Sequence, residues 1–407
     1  MTNVLLFIAL SLLMLFSMFF RISNAVIARE LMTELGLDAV SLGHLTGAFF
    51  YSFALLQIPL GPLLDRFGPR PVLTACALTG AAGSLLFGAG KTFDILLLGR
   101  ILMGIGMSSA LMGSLKTFTL KFPPDRFGRL SGILIAIGTG GSLLAASPLA
   151  LTASVVGWRN VFLFAGLMTI LLALLFFWII GKTPDACTPA RHSYEKATGF
   201  GKALRLVLGT LSFWQISGAA FFRYGTFVAL QGLWFGLYLM DVNQFSAVRT
   251  GNVLAFLSIG MMFGSIVAGD LSDRAFLSRK GVALWGFIFY SLSLFPLTGI
   301  FPYRSMLWFS GVSFTLGFFS GFGNVAYAHA KDIFPASISG MVMTWVNFFG
   351  IAGAAIVTSA LGKIIDLFPH SAHSYPPGAY HLAFAICFIF MAASAIFYAF
   401  SEKEQCR

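Results

Sequence analysis

The segment GPLLDRFGPR occupies residues 61–70, and a related segment, GDLSDRAFLSRK, occupies residues 269–280. In both segments a glycine is followed four positions later by the dipeptide Asp-Arg, and the matching residues lie 208 positions apart. The tripeptides LSG at 130–132 and ISG at 338–340 repeat with the same offset. A constant offset along the chain indicates an internal duplication. We therefore expect two halves with the same architecture.

The regions between these segments are strongly apolar. Of the 407 residues, 57% are hydrophobic and only 10% are charged, whereas about 25% of the residues of an average soluble protein are charged. Apolar stretches of about 20 residues, the length that crosses a bilayer core, occur twelve times, the first at 4–30 and the seventh at 207–240. The sequence therefore predicts an all-α membrane protein with twelve transmembrane helices in two pseudo-symmetric six-helix bundles.

The longest polar stretch, at 181–202, separates the sixth predicted span from the seventh. We expect an N-terminal bundle over 1–181, a linker over 182–206 and a C-terminal bundle over 207–407. Lys and Arg are more frequent in the loops on the side of the two termini, which predicts cytoplasmic termini in a bacterial inner membrane. The net charge of +11 follows from this bias and does not indicate nucleic-acid binding. Two six-span halves are typical of alternating-access transporters.

The sequence argues against several other classes of protein. The four cysteines and six histidines show no spacing typical of a metal site. No nucleophile–base pair is visible within the predicted spans, so an enzyme is not expected. We predict no cofactor, a monomer in the lipid bilayer, and a small anionic or zwitterionic molecule as the partner.

Two segments resemble the major facilitator superfamily. GPLLDRFGPR matches its loop signature, G-x-L-x-D-R-x-G-R-R, at six of seven fixed positions, with Pro69 in place of the first of the two closing basic residues. GRILMGIG (99–106) is similar to its fourth-span pattern R-x-x-x-G-x-G through Arg100, Gly104 and Gly106. The resemblance implies a transporter fold, and it assigns these residues to the scaffold and the gate.

The duplicated loop also has a physical role that we can derive from its residues. A carboxylate at a helix end can accept hydrogen bonds from the free N–H groups of a neighbouring helix and can pair with nearby basic residues. Contacts that exist only when one face is shut bias the equilibrium between two conformations. The alternative is a solvated turn. The predicted gating residues are Gly61, Asp65, Arg66, Gly68, Arg70, Arg100, Gly269, Asp273 and Arg274.

Each half also carries an arginine in an apolar helix, Arg21 in SMFFRISNAV and Arg223 in AAFFRYGTFV. Insertion of an arginine at mid-membrane costs about 2.5–3.5 kcal/mol, and none of the fifteen acidic residues lies well inside a predicted span. Asn24 and Thr226 follow at i+3, on the same helical face. Two guanidinium groups facing one cavity could each hold a carboxylate or phosphate bidentately. Alternatively, each arginine could brace its own half through backbone carbonyls. The organophosphate/phosphate antiporter family carries a similar arginine pair.

Further polar residues in the predicted spans are candidates for the same cavity. The substrate-binding candidates besides the two arginines are Asn24, Thr226, Tyr51, Lys116, Thr139, Gln231, Asn324 and Asn347. His329 lies near the end of the tenth predicted span, where a coupling role is one interpretation. The leading hypothesis is a secondary transporter that moves a small organic anion or zwitterion by alternating access. An amino-acid or short-peptide permease, and a transporter-like membrane sensor without turnover, remain as alternatives.

Overall fold

A computed structural model describes residues 2–123, 126–182, 200–272, 278–300, 305–335, 338–369 and 374–402. The chain divides into two compact units, the first formed by Met1–Leu37 with His44–His192 and the second by Asp38–Gly43 with Ser193–Arg407. The regular elements of the described residues are helices, as the apolar pattern predicts.

The first unit is built from nine helices, counted over its described residues. They are α1 (Thr2–Ile22), α2 (Asn24–Leu35), α3 (Ala39–Phe67), α4 (Pro69–Ala89), α5 (Phe93–Met107), α6 (Ser109–Lys121), α7 (Phe127–Leu144), α8 (Ser147–Val156) and α9 (Trp158–Lys182). The beginning of α3, up to Gly43, groups with the second unit.

The second unit contains a comparable series of helices. They are α10 (Phe200–Gly209), α11 (Leu211–Ala229), α12 (Phe235–Asp241), α13 (Ala247–Asp270), α14 (Arg279–Leu294), α15 (Met306–Phe322), α16 (Val325–Ile333), α17 (Ser339–Asp366) and α18 (Pro377–Ala399). A π-helical turn, Leu230–Trp234, joins α11 to α12, and a short 3-10 helix, Phe295–Thr298, follows α14. Helix α10 begins inside the predicted linker.

Most of these helices have the length and apolarity of membrane spans. The described residues form ten such spans, two of which combine α5 with α6 and α15 with α16, and the number is eleven if α7 and α8, bent by 47°, form one span. The seventh predicted span corresponds to α11, the π-helical turn and α12. A π-turn is a local widening of an α-helix that is frequent at functional sites.

Glycines allow neighbouring helices to approach closely within each unit. A Cβ on Gly104 of α5 would overlap the carbonyl oxygen of Phe49 in α3. In the second unit a Cβ on Gly317 of α15 would overlap the carbonyl oxygen of Leu257 in α13, and Leu257 lies 208 positions after Phe49. Close backbone contact through small residues is the usual way in which membrane helices pack. The carbonyl groups of Phe49 and Leu257 therefore match between the halves, whereas the glycines that pack against them lie 213 positions apart.

Candidate functional site

Arg21 lies in the last turn of α1. Its side chain is 8% exposed, and its guanidinium carbon lies 4.4 Å from the centre of the Phe53 ring in α3. A guanidinium over an aromatic face is attracted by the quadrupole of the ring, whose face is electron-rich. The aromatic contact holds Arg21 against α3.

Helix α1 ends at Ile22, and two side chains donate to the carbonyl oxygen of Phe20 in its last turn. Arg100 Nη1 donates a hydrogen bond to this oxygen at 2.8 Å, and Ser23 Oγ donates to it at 3.3 Å. These donors compete with the amide that would continue the helix. The chain turns at Ser23, and α2 begins at Asn24.

The break at Ser23 separates Asn24 from the helix that carries Arg21, and the shared face of these two residues stays a prediction. Asn24 belongs to the next helix, is fully buried, and donates from Nδ2 to Thr46 Oγ1 at 2.9 Å. The i+3 relation holds only along an uninterrupted helix. Asn24 therefore links α2 to α3.

Arg100 occupies the centre of this arrangement. It is 0% exposed, and besides Phe20 its Nε donates to the carbonyl oxygen of Leu45 in α3 at 3.4 Å. The ring of Phe49 lies 5.1 Å from its guanidinium carbon. Arg100 thus connects α5 to α1 and α3 through backbone carbonyls, which is the bracing geometry that we considered for buried arginines.

Arg223 lies inside α11, which continues unbroken through Thr226. It is 0% exposed, and Nη1 donates to the carbonyl oxygen of Ser320 in α15 at 3.1 Å. The phenol of Tyr327 interacts with it, and the ring of Tyr224 lies 5.7 Å from its guanidinium carbon. Arg223 therefore lies between a backbone carbonyl and two phenols.

Thr226 is buried one turn after Arg223. Its hydroxyl donates to the carbonyl oxygen of Phe222 at 2.7 Å and lies 2.9 Å from the hydroxyl of Tyr290 in α14. The hydrogen bond to Tyr290 connects α11 to α14.

The buried arginines of the two units share a structural role that the sequence pattern does not reveal. Arg100 donates to a carbonyl two residues before the end of α1, and Arg223 donates to a carbonyl two residues before the end of α15. Each of these helices is followed by a break and a second helix. Arg223 thus resembles Arg100 in its hydrogen bond to a backbone carbonyl. It resembles Arg21, its counterpart in the sequence, in its contact with an aromatic ring.

The remaining substrate-binding candidates are distributed over both units. In the second unit Gln231, within the π-helical turn, donates to Ser258 Oγ at 2.7 Å. Asn324, between α15 and α16, donates to Ser265 Oγ at 3.0 Å, and Asn347 is half-buried in α17. Two of the three therefore connect neighbouring elements of the second unit.

In the first unit the other candidates lie on three different helices. Tyr51 of α3 is 42% exposed, and Lys116 of α6 is half-buried. Thr139 of α7 donates to the carbonyl oxygen of Ile135 in its own helix at 3.0 Å. The Thr139 hydroxyl is thus engaged within its own helix.

The predicted gating loop joins α3 to α4 in the first unit. Gly68 has φ = 77°, a left-handed conformation that favours glycine. Arg70 donates from Nε to the carbonyl oxygen of Phe177 in α9 at 3.0 Å and lies over its ring. Arg66 is exposed beside Phe67. The Arg70 contact fixes the start of α4 against the end of α9.

Other gating candidates have fewer described contacts. A Cβ at Gly61 or Gly269 would meet no atom within 4 Å. Asp65 belongs to α3, but its side chain lies outside what the structure describes, and Asp273 and Arg274 lie outside the described residues. The gate assignment of these residues stays a prediction.

The structure adds an ion pair that local sequence patterns do not indicate. Arg159 at the start of α9 donates from Nε and Nη2 to Glu34 Oε1 at 3.0 and 2.8 Å. The indole of Trp158 donates to Glu34 Oε2 at 3.0 Å. Both partners are partly exposed, so the pair contributes modestly to stability.

Asp241 is a buried acid at the end of α12. It closes α12, is 8% exposed, and accepts a hydrogen bond from the hydroxyl of Tyr380 at 2.6 Å. Nearby, the Tyr375 hydroxyl donates to Asp366 at 2.9 Å. Burial raises the pKa of the Tyr375 phenol, and the Asp366 carboxylate raises it further. Asp241 and Tyr380 are 139 positions apart, so no local sequence pattern indicates that they are in contact.

His329 is fully buried in α16, where both ring nitrogens are engaged. One lies 2.8 Å from the hydroxyl of Tyr398, and the other lies 2.9 Å from the carbonyl oxygen of Glu402. A carbonyl only accepts, so Nε2 carries the proton. This geometry favours a role in holding the end of α18 over a role in coupling.

Comparison with known proteins gives a consistent set of matches. The model of the Major Facilitator Superfamily matches residues 8–329. A probable sulfoacetate transporter of Cupriavidus necator is 24% identical over 300 residues, 68% of this chain and 68% of that protein. A probable galactarate/D-glucarate transporter of Escherichia coli is 22% identical over 378 residues, 85% of this chain and 83% of that protein.

A solved structure shows the same fold. A bacterial homolog of the human lysosomal transporter Spinster, crystallised in an inward-facing and unoccupied conformation, superposes with a TM-score of 0.77 at 20% identity. The superposition covers 97% of this chain and 96% of that one. The predicted all-α membrane fold is confirmed, and the relatives are transporters and not enzymes.

Proposed function

Because the chain belongs to the Major Facilitator Superfamily, we propose that it is a secondary transporter of small organic anions. Transport proceeds by alternating access, and Arg21 and Arg223 bind the anion. The observation that carries this proposal is the repeated Phe-Phe-Arg sequence, whose two arginines are buried in apolar helices at 8% and 0% exposure. A planar guanidinium is suited to bidentate recognition of a carboxylate or phosphate.

The names of the relatives support the same class of substrate. Sulfoacetate carries a sulfonate and a carboxylate, and galactarate and D-glucarate each carry two carboxylates. A substrate with two anionic groups matches the pair Arg21 and Arg223, because each guanidinium can take one group. We therefore place small dianions first among the candidate substrates.

Counterflow in proteoliposomes tests this proposal. Vesicles loaded with an unlabelled compound are expected to accumulate the same radiolabelled compound transiently when it is D-glucarate or sulfoacetate. Sugar phosphates, amino acids and dipeptides complete the panel. Exchange of amino acids or dipeptides alone would establish a permease of that class. Specific binding without any exchange would instead identify a sensor.

We further propose that both termini are cytoplasmic and that the segment from Gly61 to Arg70, where α3 ends and α4 begins, closes that face. Asp65→Asn is expected to reduce transport sharply while the protein remains folded, because the neutral amide cannot form the charge-assisted contacts of a carboxylate. Single-cysteine reporters in α6 and α16, in a background without native cysteines, should label faster in this variant.

The control for the gate is Asp94→Asn, which alters an exposed acid in the first turn of α5. Its cost is expected to be about 0.3–1 kcal/mol of stability through the helix dipole, with normal transport. Unchanged labelling and normal uptake in Asp65→Asn would contradict the gate assignment.

A separate prediction concerns the coupling of transport to the proton gradient. None of the fifteen acidic residues lies well inside a predicted span, so collapse of the proton gradient by a protonophore at constant pH is expected to leave counterflow intact. Net accumulation can fall under the same conditions. Counterflow that vanishes would require a titrating group, and Asp241, buried against Tyr380, would then be the first carboxyl to replace.

A further inference from the structure

We infer that Gly323 is a positioning residue for the anion site, because its missing side chain leaves the space that the guanidinium of Arg223 occupies. Gly323 lies at the end of α15, immediately before α16. This inference rests on the proposed function of Arg223 as an anion-binding group.

The distances at Gly323 single out the guanidinium. A Cβ built on Gly323 would lie 2.6 Å from Nε of Arg223, 3.0 Å from its Cδ and 3.1 Å from its Cζ. Non-bonded carbon and nitrogen atoms do not approach to 2.6 Å without displacement. The three nearest atoms all belong to Arg223, so this arginine is the neighbour that would have to move.

The backbone of Gly323 does not itself require glycine. Its φ is −63° and its ψ is −14°, a right-handed conformation that alanine adopts without strain. The reason for glycine at this position is therefore space for Arg223 and not conformational freedom.

One carbonyl ties the orientation of Arg223 to the same turn. The carbonyl oxygen of Ser320 accepts from Nη1 of Arg223 at 3.1 Å and from the amide of Gly323 at 3.1 Å. The turn that ends α15 thus supplies both the acceptor for Nη1 and the free volume beside Nε. Together these contacts hold the guanidinium in one orientation before an anion arrives.

A preorganised guanidinium binds an anion without first losing conformational freedom. In Gly323→Ala the new methyl group displaces the guanidinium, since the end of a long side chain moves more readily than the backbone. We expect the affinity for the anion to fall about ten- to hundredfold, the range of one lost charge-assisted hydrogen bond.

Gly350 provides a matched control in the same unit. A Cβ on Gly350 would lie 3.5 Å from the hydroxyl of Tyr327 and 3.7 Å from Cβ of Tyr224, both ordinary contact distances. Both tyrosines adjoin Arg223. Gly350→Ala therefore adds the same methyl group near the same cluster without displacing the arginine, and it should bind like the wild type.

The experiment is a double-mutant cycle of anion binding to purified protein. The probe is radiolabelled D-glucarate, or sulfoacetate if that is the anion that gives counterflow. Gly323→Ala should weaken binding in the wild-type background and have no further effect in the Arg223→Ala background, because the group it displaces is then absent. A general structural defect would weaken binding in both backgrounds, and this result would overturn the inference.

The outcomes also separate this inference from the function on which it rests. Native affinity in Arg223→Ala, or no binding of either probe to the wild type, contradicts the proposed function, and the inference falls with it. Loss of affinity in Arg223→Ala with native affinity in Gly323→Ala contradicts the inference alone. If Gly323→Ala is not recovered folded, adding Arg223→Ala must restore the folded yield; failure to do so would also overturn the inference.

Discussion

Arg21→Lys is expected to bind the transported anion about a hundredfold more weakly than the wild type, nearly the loss caused by Arg21→Ala. Lysine retains the positive charge but lacks the planar pair of donors that engages both oxygens of a carboxylate. Arg223→Lys should show the same loss. In the proposed function both arginines hold one ligand, and the double lysine variant should then be less than additively worse.

Equilibrium binding of D-glucarate or sulfoacetate to purified, monodisperse protein measures this effect. Arg29→Lys is the matched control, since Arg29 is an exposed arginine of α2 in the same unit as Arg21. It should bind with native affinity. Near-native binding by both Arg21→Lys and Arg223→Lys would refute bidentate recognition and leave bracing of each unit as the role of these arginines.

Arg100→Met is expected to destabilise the protein by about 1–3 kcal/mol, the cost of a buried carbonyl that loses its donor. Methionine removes the donors to Phe20 and Leu45 while retaining an unbranched side chain. The end of α1 should then become less ordered, and anion affinity should fall as well because Arg21 occupies that last turn. Thermal unfolding in detergent and anion binding, measured on the same preparation, report the two effects.

Arg29→Met is the control for this substitution, because it removes an exposed arginine from the same unit. Surface replacements of this kind change stability by about 0.5 kcal/mol or less. If Arg100→Met unfolds at the wild-type temperature and binds normally, the contacts of Arg100 do not stabilise the break at Ser23.

The architecture could be predicted from the sequence because its signals are either local or repeated. Apolar stretches of span length reflect the thickness of the bilayer, and each can be recognised by itself. The segments at 61–70 and 269–280 share one offset, which reveals the duplication without knowledge of any contact. Both signals can be read from the sequence without knowing which helices are neighbours.

The details of the candidate site could not be predicted in the same way. Beside the break after Ile22, the carbonyl oxygen of Phe20 accepts from Arg100, which is 80 positions away. The contact of Arg223 with Ser320 spans 97 positions. A sequence-based prediction continues a helix until it meets a helix-breaking residue. The break at Ser23 has no proline or glycine, so the sequence gives no indication of it. The sequence pattern therefore predicts one continuous helix for Arg21 and Asn24, whereas the structure divides it at Ser23.

The glycines between α13 and α15 restrict which residues this helix pair can accommodate. A Cβ on Gly264 would overlap the carbonyl oxygen of Phe318, and a Cβ on Gly317 would overlap that of Leu257. Larger residues at either position would therefore force the two helices apart. Elsewhere in this unit the helices are interrupted, at the π-helical turn of Leu230–Trp234 and after α15 at Gly323. The second unit thus combines a closely packed helix pair with interrupted helices, and one interruption adjoins Arg223.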